Sequence, residues 1–378
     1  MLDDRIGDIP AKSSLLLSTL PGIDPTPFGL TIVNNALKSK NFAVYIVNNK
    51  PVHALIREAV SAGLELANRS KRFYAIDAFS GYIGMASHEK YVINNPLDVR
   101  EIIYTAGQAI EKSKARNPLV VVDSISSYID VGGKPENILK LITAIRARAT
   151  VLGLFSEWKY SIKTIRKIKQ EFDAIFTVKP IEELAIVRLF LYPEKVSWKK
   201  RLEKKIAVPV KVMRGGGVMV YFPKILVTGP YQAGKTSLVR ALSTTSISAE
   251  HLGTTVALDH GYLNYKGYAA DIYGTPGQEI FDPLLEYIAE NAVAVILVID
   301  STMPNTFARA KQMLSKTKSY GLPIVVAANK QDLPNALPIS KIRTILGLGK
   351  DISICPTVAH AKKGIHALLN ELISKLAG

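Results

Sequence analysis

Eight residues in the second half of the chain have the types and spacing of phosphate chemistry: Gly229-Pro230-Tyr231-Gln232-Ala233-Gly234-Lys235-Thr236. The pattern Gly-x-x-x-x-Gly-Lys-Thr, after a β-branched run and before a helix-like segment, is that of a phosphate-binding loop. Its glycines let successive backbone N–H groups turn inward as an anion nest. The helix that follows adds the partial positive charge of its N-terminus. Lys235 is expected to reach the β- and γ-phosphates as a point charge, and the Thr236 hydroxyl to ligate Mg²⁺.

Those residues need a sheet to hold them, and the patterning supplies one. The loop is preceded by a strand over 224–228. A strand pair joined by a turn at 264–267 leads into the glycine-rich Gly274-Thr275-Pro276-Gly277-Gln278-Glu279. Apolar runs over 292–300, 323–329 and 352–359 read as further strands. A closing helix from Gly364 spaces Ile365, Leu368, Leu369, Leu372, Ile373 and Leu376 on one face. The first half alternates strands (13–18, 43–47, 73–77, 119–123, 151–155, 174–178) with helices (30–37, 52–66, 99–113, 138–150, 159–172). Alternation of this kind implies a parallel sheet covered on both faces. On 52–66 the apolar face is expected to be Ile56, Ala59, Val60 and Gly63. Segments 186–191 and 206–213 are expected to form an antiparallel hairpin closing the first domain, and 218–223 its last strand. The fold class is α/β, with one domain over 1–222, a second over 223–378 and little linker between them.

A chain of 378 residues, 48% hydrophobic and 21% charged, can bury two cores. One cysteine, Cys355, excludes an internal disulfide framework. The longest apolar run, 292–299, falls well short of the ~20 residues that a membrane-spanning helix needs. The acidic start Met1-Leu2-Asp3-Asp4 is unlike a signal peptide, so a cytoplasmic location is expected. The net charge of +16 is uneven, with 33 Lys and Arg against 21 Asp and Glu in 1–222. Much of the excess lies in 159–214, a stretch able to meet a membrane surface, a nucleic acid or an acidic partner, or simply to be a solvated face. The histidines other than His360 show no metal-ligand spacing.

In its order and phrases the first half resembles a RecA-like ATPase core of the KaiC and RadA-like group. The resemblance is carried by Ile9-Pro10-Ala11-Lys12-Ser13-Ser14-Leu15-Leu16-Leu17, by Val120-Val121-Val122-Asp123-Ser124 in the manner of a Walker B strand, and by Lys211-Val212-Met213-Arg214-Gly215. At the phosphate loop it departs: Pro21-Gly22-Ile23-Asp24-Pro25-Thr26-Pro27 stands there, with Asp24-Pro25 in place of Gly-Lys. Pro25 and Pro27 have no N–H to offer, and Asp24 puts a negative charge where phosphate would sit. A degenerate domain that scaffolds or regulates is expected, with Asp123 a buried aspartate capping a turn.

Residues 223–378 resemble a Ras-like small GTPase, nearest to the bacterial and archaeal branch reading Thr-Thr-Val-Ala-x-Asp and Gly-Thr-Pro-Gly-Gln-Glu. MglA, the Arf proteins and the β subunit of the signal-recognition-particle receptor are related. The resemblance implies GTP or GDP with Mg²⁺, bound by Gly229, Tyr231, Gln232, Ala233, Gly234, Lys235, Thr236 and Ser237. It makes Thr255 the switch I threonine, on Mg²⁺ and near the γ-phosphate, with Thr254 the fallback. In switch II, Gly277 donates its N–H to the γ-phosphate and Gln278 orients the attacking water. In Asn329-Lys330-x-Asp332 the aspartate can accept from both guanine N–H donors, which adenine lacks. Val358-Ala359-His360 stands for the usual Ser-Ala-Lys, with the Ala359 N–H available to the guanine carbonyl and His360 able to stack.

Two departures accompany the match. Gly274 replaces the switch II aspartate that steadies Mg²⁺, leaving Asp271 or Asp259 as substitutes. Tyr231 stands where Ras has a glycine, which predicts slow turnover. The expected protein is a GTP switch with catalytic Lys235 and Gln278 and a regulatory or effector partner. A non-cycling GTP-binding scaffold and a nucleic-acid binder using 159–214 are the alternatives.

Overall fold

In a computed structural model of the chain, residues 8–66, 71–158, 160–183, 186–199, 207–213, 217–244, 248–251, 257–290 and 292–377 are described. The chain divides into two compact units, 2–219 and 220–378.

The first unit is built on a sheet whose central strands are parallel. They are β1 (Ser14–Thr19), β2 (Ala43–Val47), β3 (Phe73–Asp77), β4 (Tyr91–Val92), β5 (Leu119–Asp123), β6 (Thr150–Ser156) and β7 (Ala174–Glu183). β8 (Ile186–Val196) and β9 (Val208–Met213) follow, and the spatial order is β4-β3-β2-β5-β6-β1-β7-β8-β9. β7 to β9 are antiparallel to one another, as their continuous chain order allows. Both faces are covered. α1 (Thr26–Lys38) packs on one of them, so closely that a Cβ at Gly29 would lie 2.8 Å from Leu154 and 3.1 Å from the Tyr45 hydroxyl. On the other, Leu16, Val44, Ile46, Val120, Val122 and Val151 share a core with α4 (Val99–Ser113), α5 (Ile125–Asp130), α6 (Pro135–Arg146) and α7 (Ile162–Gln170). Alternate strand residues point to opposite faces, which is why these strands read as unbroken apolar runs. α2 (Val52–Ser61) and α3 (Phe79–Ile83) are the other α-helices among the described residues of the unit.

Several elements differ from the sequence expectation for physical reasons. α2 stops at Ser61 and buries Val52, Leu55 and Ala59, while Val60 is 59% exposed and Gly63 sits at φ +65° beyond the end. α6 begins at Pro135, which suits a first turn that needs no N–H. α7 begins after Ser161, whose hydroxyl accepts the Thr164 N–H at 3.1 Å. Segments 218–223 and 224–228 are one strand, β10 (Gly217–Thr228), whose register breaks between Phe222 and Ile225, at Pro223.

The second unit orders its strands β11-β12-β13-β10-β14-β15-β16. β11 is Ser248–His251, β12 Ala257–Tyr265, β13 Tyr268–Gly274, β14 Ala294–Asp300, β15 Ile324–Asn329 and β16 Ser353–Pro356. β10, β13, β14, β15 and β16 are parallel, and β12 is antiparallel to β13. Val227, Ile296, Val298, Val325 and Ala327 face one way, onto α8 (Lys235–Leu242) and α12 (Ile365–Ala377). Leu226, Val295, Leu297, Val326 and Ala328 face the other, onto α9 (Asp282–Glu290), α10 (Phe307–Lys318) and α11 (Ile339–Leu346). No helix among the described residues is long and apolar enough to cross a membrane.

Asp123, at the end of β5, caps no turn. It is fully buried, accepting from the Tyr45 hydroxyl at 2.8 Å and the Asn49 amide at 3.0 Å, with Thr26 Oγ1 at 3.5 Å. Lys50 brings a cation to within 3.4 Å of that threonine. Asp24 turns back to accept the Thr26 N–H at 2.9 Å, taking a helix-terminal donor that an anion would use. Burial raises the Asp123 pKa to about 6 against the opposing Tyr45 hydrogen bond and Lys50 charge. A carboxyl raised on folding stabilises below its unfolded value and loses that contribution as pH rises to the folded one. Relative to Asp123→Asn, the wild-type unit is expected to lose about 3 kcal/mol between pH 3.8 and about 6. Thermal unfolding of both proteins across that window measures it, and a constant difference would show that folding leaves the Asp123 pKa unshifted.

Candidate phosphate and guanine site

The phosphate loop leaves the end of β10 and returns into α8. Gly229 is at φ +152°, Gln232 at +62° and Gly234 at +96°, the turns that roll the loop into a concavity. Two of these glycines are required by contact. A Cβ at Gly229 would lie 2.0 Å from the Val298 carbonyl oxygen, and one at Gly234 2.2 Å from the Asn329 amide. Lys235, 9% exposed, donates to the carbonyls of Gly229 at 3.0 Å and Pro230 at 2.8 Å. Burial pulls its pKa down to about 8, Asp259 opposes that shift, and the Arg309 charge adds to it. Ala233 is buried, while Tyr231, Gln232 and Thr236 are exposed and Ser237 half-buried.

Of the two carboxylates that the sequence offers in place of the switch II aspartate, one lies beside Gly274 on the neighbouring strand. Asp259 of β12 is the register partner of Gly274 on β13. A Cβ at Gly274 would lie 3.0 Å from the Asp259 Cβ and 3.3 Å from its Oδ2. The carboxylate thus fills the room that the glycine leaves, and the Thr236 hydroxyl donates to it at 2.6 Å. Asp271 is engaged elsewhere, by the Tyr221 hydroxyl and by His260 Nε2 at 3.5 Å. Thr236 and Asp259 are hard oxygen donors, the set that suits a small divalent cation beside phosphate oxygens. Among the described residues no three His, Cys, Asp or Glu cluster, so an ion here would need phosphate or water oxygens as well. Thr254 and Thr255 lie outside the described residues.

Gly277 is buried against the phosphate loop. Its added Cβ would meet the Tyr231 nitrogen at 2.4 Å and the Gly229 carbonyl oxygen at 2.7 Å. Gln278 follows it, exposed, just before the turn Glu279–Phe281. Opposite, Asn329 at the end of β15 donates to the Ala233 carbonyl at 3.1 Å and accepts the Ala359 N–H at 3.0 Å. The Ala359 N–H, read from the sequence as free for a base, is in this structure a tie between loops. Lys330 (φ +62°) donates to Asp300 at 2.6 Å. Burial works against the Asp300 charge, but hydrogen bonds from Lys330 and Thr302 outweigh it and hold the carboxyl below its ordinary value. Asp332 has His360 Nε2 at 3.9 Å, and the His360 side chain is 70% exposed. Sequence reasoning missed Asn329 as the joint between loops and Asp300 as the anchor of Lys330.

The basic stretch is partly spent on ion pairs. Lys167 pairs with Glu136, and Lys169 with Glu157 at 2.6 Å and Glu194 at 3.0 Å. Lys195 donates to the Gln170 carbonyl at 3.0 Å.

Residues 219–376 match the model of the ADP-ribosylation factor (Arf) family. Translation initiation factor IF-2 of Lachnospira eligens is 33% identical over 163 residues, 40% of this chain and 17% of that protein. Its counterpart in Kosmotoga olearia is 26% identical over 244 residues, 59% of this chain and 34% of that protein. The chain thus spans between about a sixth and about a third of the length of these curated relatives. A solved KaiC-like protein from the archaeon Pyrococcus horikoshii OT3 is similar over 58% of this chain and 94% of its own, at 18% identity and a TM-score of 0.46. Given a phosphate loop on β10, an Asn-Lys-x-Asp loop on β15 and the Arf match across both, the second unit of this chain is a Ras-like GTPase domain.

Proposed function

We propose that the protein is a guanine-nucleotide switch that hydrolyses GTP to GDP and phosphate, with the first unit as a RecA-like regulatory or scaffolding module. The observation that carries the reading is the shared joint at Asn329, which ties the phosphate loop to the guanine loop so that one nucleotide spans both. Lys235 turns from its own loop carbonyls to the phosphates, and its charge follows the negative charge that develops there. Gly229, Tyr231, Gln232, Ala233, Gly234, Thr236 and Ser237 line the phosphate side. Asn329, Lys330, Asp332, Val358, Ala359 and His360 surround the base. Gln278 orients water for in-line attack, and the Gly277 N–H faces the γ-phosphate. Thr236, Asp259 and Thr255 are the residues that would hold Mg²⁺, whose chemistry is to neutralise charge between the β- and γ-phosphates.

Support for slow cycling comes from Tyr231, 61% exposed within the phosphate loop, where it obstructs a catalytic arginine from a partner. The same residue favours the second reading, a scaffold that keeps its GTP. Single-turnover hydrolysis and GTP release decide between the two: permanent occupancy without turnover selects the scaffold. A regulator or effector protein belongs to the switch reading, and its capture should depend on whether GTP or GDP is bound.

Lys235→Ala is expected to abolish nucleotide binding, and Gln278→Leu to bind GTP normally while hydrolysing it at least about tenfold more slowly. Normal turnover in the latter would remove Gln278 from the mechanism. Asp259→Asn should weaken the Mg²⁺ dependence of GTP affinity by about 10–100-fold, while Asp271→Asn leaves it unchanged. A magnesium titration of nucleotide release reads both. Because free Lys235 titrates at about 8 and phosphate binds its charged form, binding above that pH takes up a proton. The Lys235 contribution to GTP affinity is therefore flat below pH 8 and falls by up to about tenfold per unit above it. Calorimetry in buffers of different ionisation heat measures that proton uptake, and its absence in wild type would show Lys235 fully charged before the nucleotide binds.

A further inference from the structure

The segment that carries Gln278 is held at both ends by one side chain from another element. Arg309 lies in the first turn of α10, 15% exposed by side chain. Its two terminal nitrogens grip Asp282, the first residue of α9, with Nη1 3.1 Å from Oδ2 and Nη2 on Oδ1. Its Nε points at the Gly277 carbonyl oxygen, 3.5 Å away. A planar fork reaches two acceptors in this way, and an ammonium does not.

Gly277 and Asp282 bracket residues 278–281, so Arg309 spans the base of a short loop with exposed Gln278 at its start. There is no slack at the Gly277 end, where an added Cβ would collide with the backbone of Gly229, Pro230 and Tyr231. At the other end Lys316 adds a second cation, 3.2 Å from Asp282, and also pairs with Glu286 at 2.7 Å. The Asp282 carboxyl is held below its ordinary range, with the Arg309 hydrogen bond the largest cause.

We infer that Arg309 is a positioning residue for GTP hydrolysis. By holding the Gly277 carbonyl and the Asp282 carboxylate in one fork, it fixes the two ends of the 278–281 segment, with Gly277 against the phosphate loop, and so fixes where Gln278 presents its amide. It acts through that segment and does not touch the nucleotide. The inference rests on the GTPase reading above. A merely structural arginine would brace α9 on α10, and its loss would weaken folding or nucleotide binding without singling out turnover.

The test uses the full chain with Arg309→Ala, Arg309→Lys and Asp282→Asn. Single-turnover GTP hydrolysis, GDP affinity and amide hydrogen exchange across 277–282 are measured on each. Turnover is expected to fall by about tenfold or more in Arg309→Ala and Asp282→Asn. GDP affinity should stay within about threefold of wild type, and exchange should quicken across 277–282 while the rest of the unit is unchanged. Arg309→Lys should recover only part of the turnover, since it restores charge without the fork. Turnover within about twofold of wild type, an equal loss of GDP affinity, or unchanged exchange across 277–282 would each overturn the inference. If wild type binds no GTP, the reading above fails. The exchange measured on nucleotide-free protein then decides the clamp: faster exchange in Arg309→Ala upholds it, and unchanged exchange removes it.

Discussion

One buried amide holds three loops of the second unit in register. Asn329 is 3% exposed, gives its N–H to the Ala233 carbonyl and takes the Ala359 N–H on its oxygen. Three loops that are distant in sequence thereby share one side chain, and both halves of its amide are used. An amide in such a place is strongly constrained, because losing either partner leaves a polar atom buried without a bond, at about 1–3 kcal/mol. An aspartate there would lose the donor to Ala233, and a leucine would lose both bonds. The same side chain explains why Gly234 must be glycine, since a Cβ would enter the space that the amide occupies. The phosphate loop and the guanine loop are therefore one construction.

Much of this was legible in the sequence because the motifs are contiguous. Gly229 to Thr236 and Asn329 to Asp332 each specify a loop within a few residues, and the flanking β-branched runs place each loop at a strand end. The alternation of strands and helices similarly gave the parallel sheets. What could not be read were relations between segments. Asp259 against Gly274 is a register fact, fixed by the hairpin pairing of β12 and β13, and the sequence left Asp259 and Asp271 open. The Ala359 N–H looked free because nothing local showed that Asn329 would take it. Helix ends were misplaced where a turn, as after Ser61, outweighed a continuing apolar pattern.

The first unit shows the opposite use of similar materials. Asp24, Thr26, Lys50 and Asp123 bring together a carboxylate, a hydroxyl and a cation at the start of α1, but each satisfies another. The helix-terminal donor is capped from within, and the buried carboxylate leans on Tyr45 and Asn49. Such a cluster stabilises itself and leaves little for a ligand to gain, since a phosphate would have to displace Asp24 before meeting the helix N-terminus. In the second unit, among the described residues, Lys235 is held by two loop carbonyls, bonds that a phosphate can replace at small cost. The contrast lies in how much each site already has.

The pairing of Asp259 with Gly274 also has a bearing on inheritance. With its carboxylate on β13, such a domain would carry its grip on the cation and its water-orienting glutamine on a single strand and loop, so a change in one would disturb the other. Here Gln278 follows β13, while the carboxylate belongs to β12, four residues beyond Thr255 in the chain. On the proposed reading, cation retention and catalytic rate are thus written on separate segments. Descendants of such a chain could then lose hydrolysis and keep a tightly held nucleotide, or tune one property while the other stays fixed.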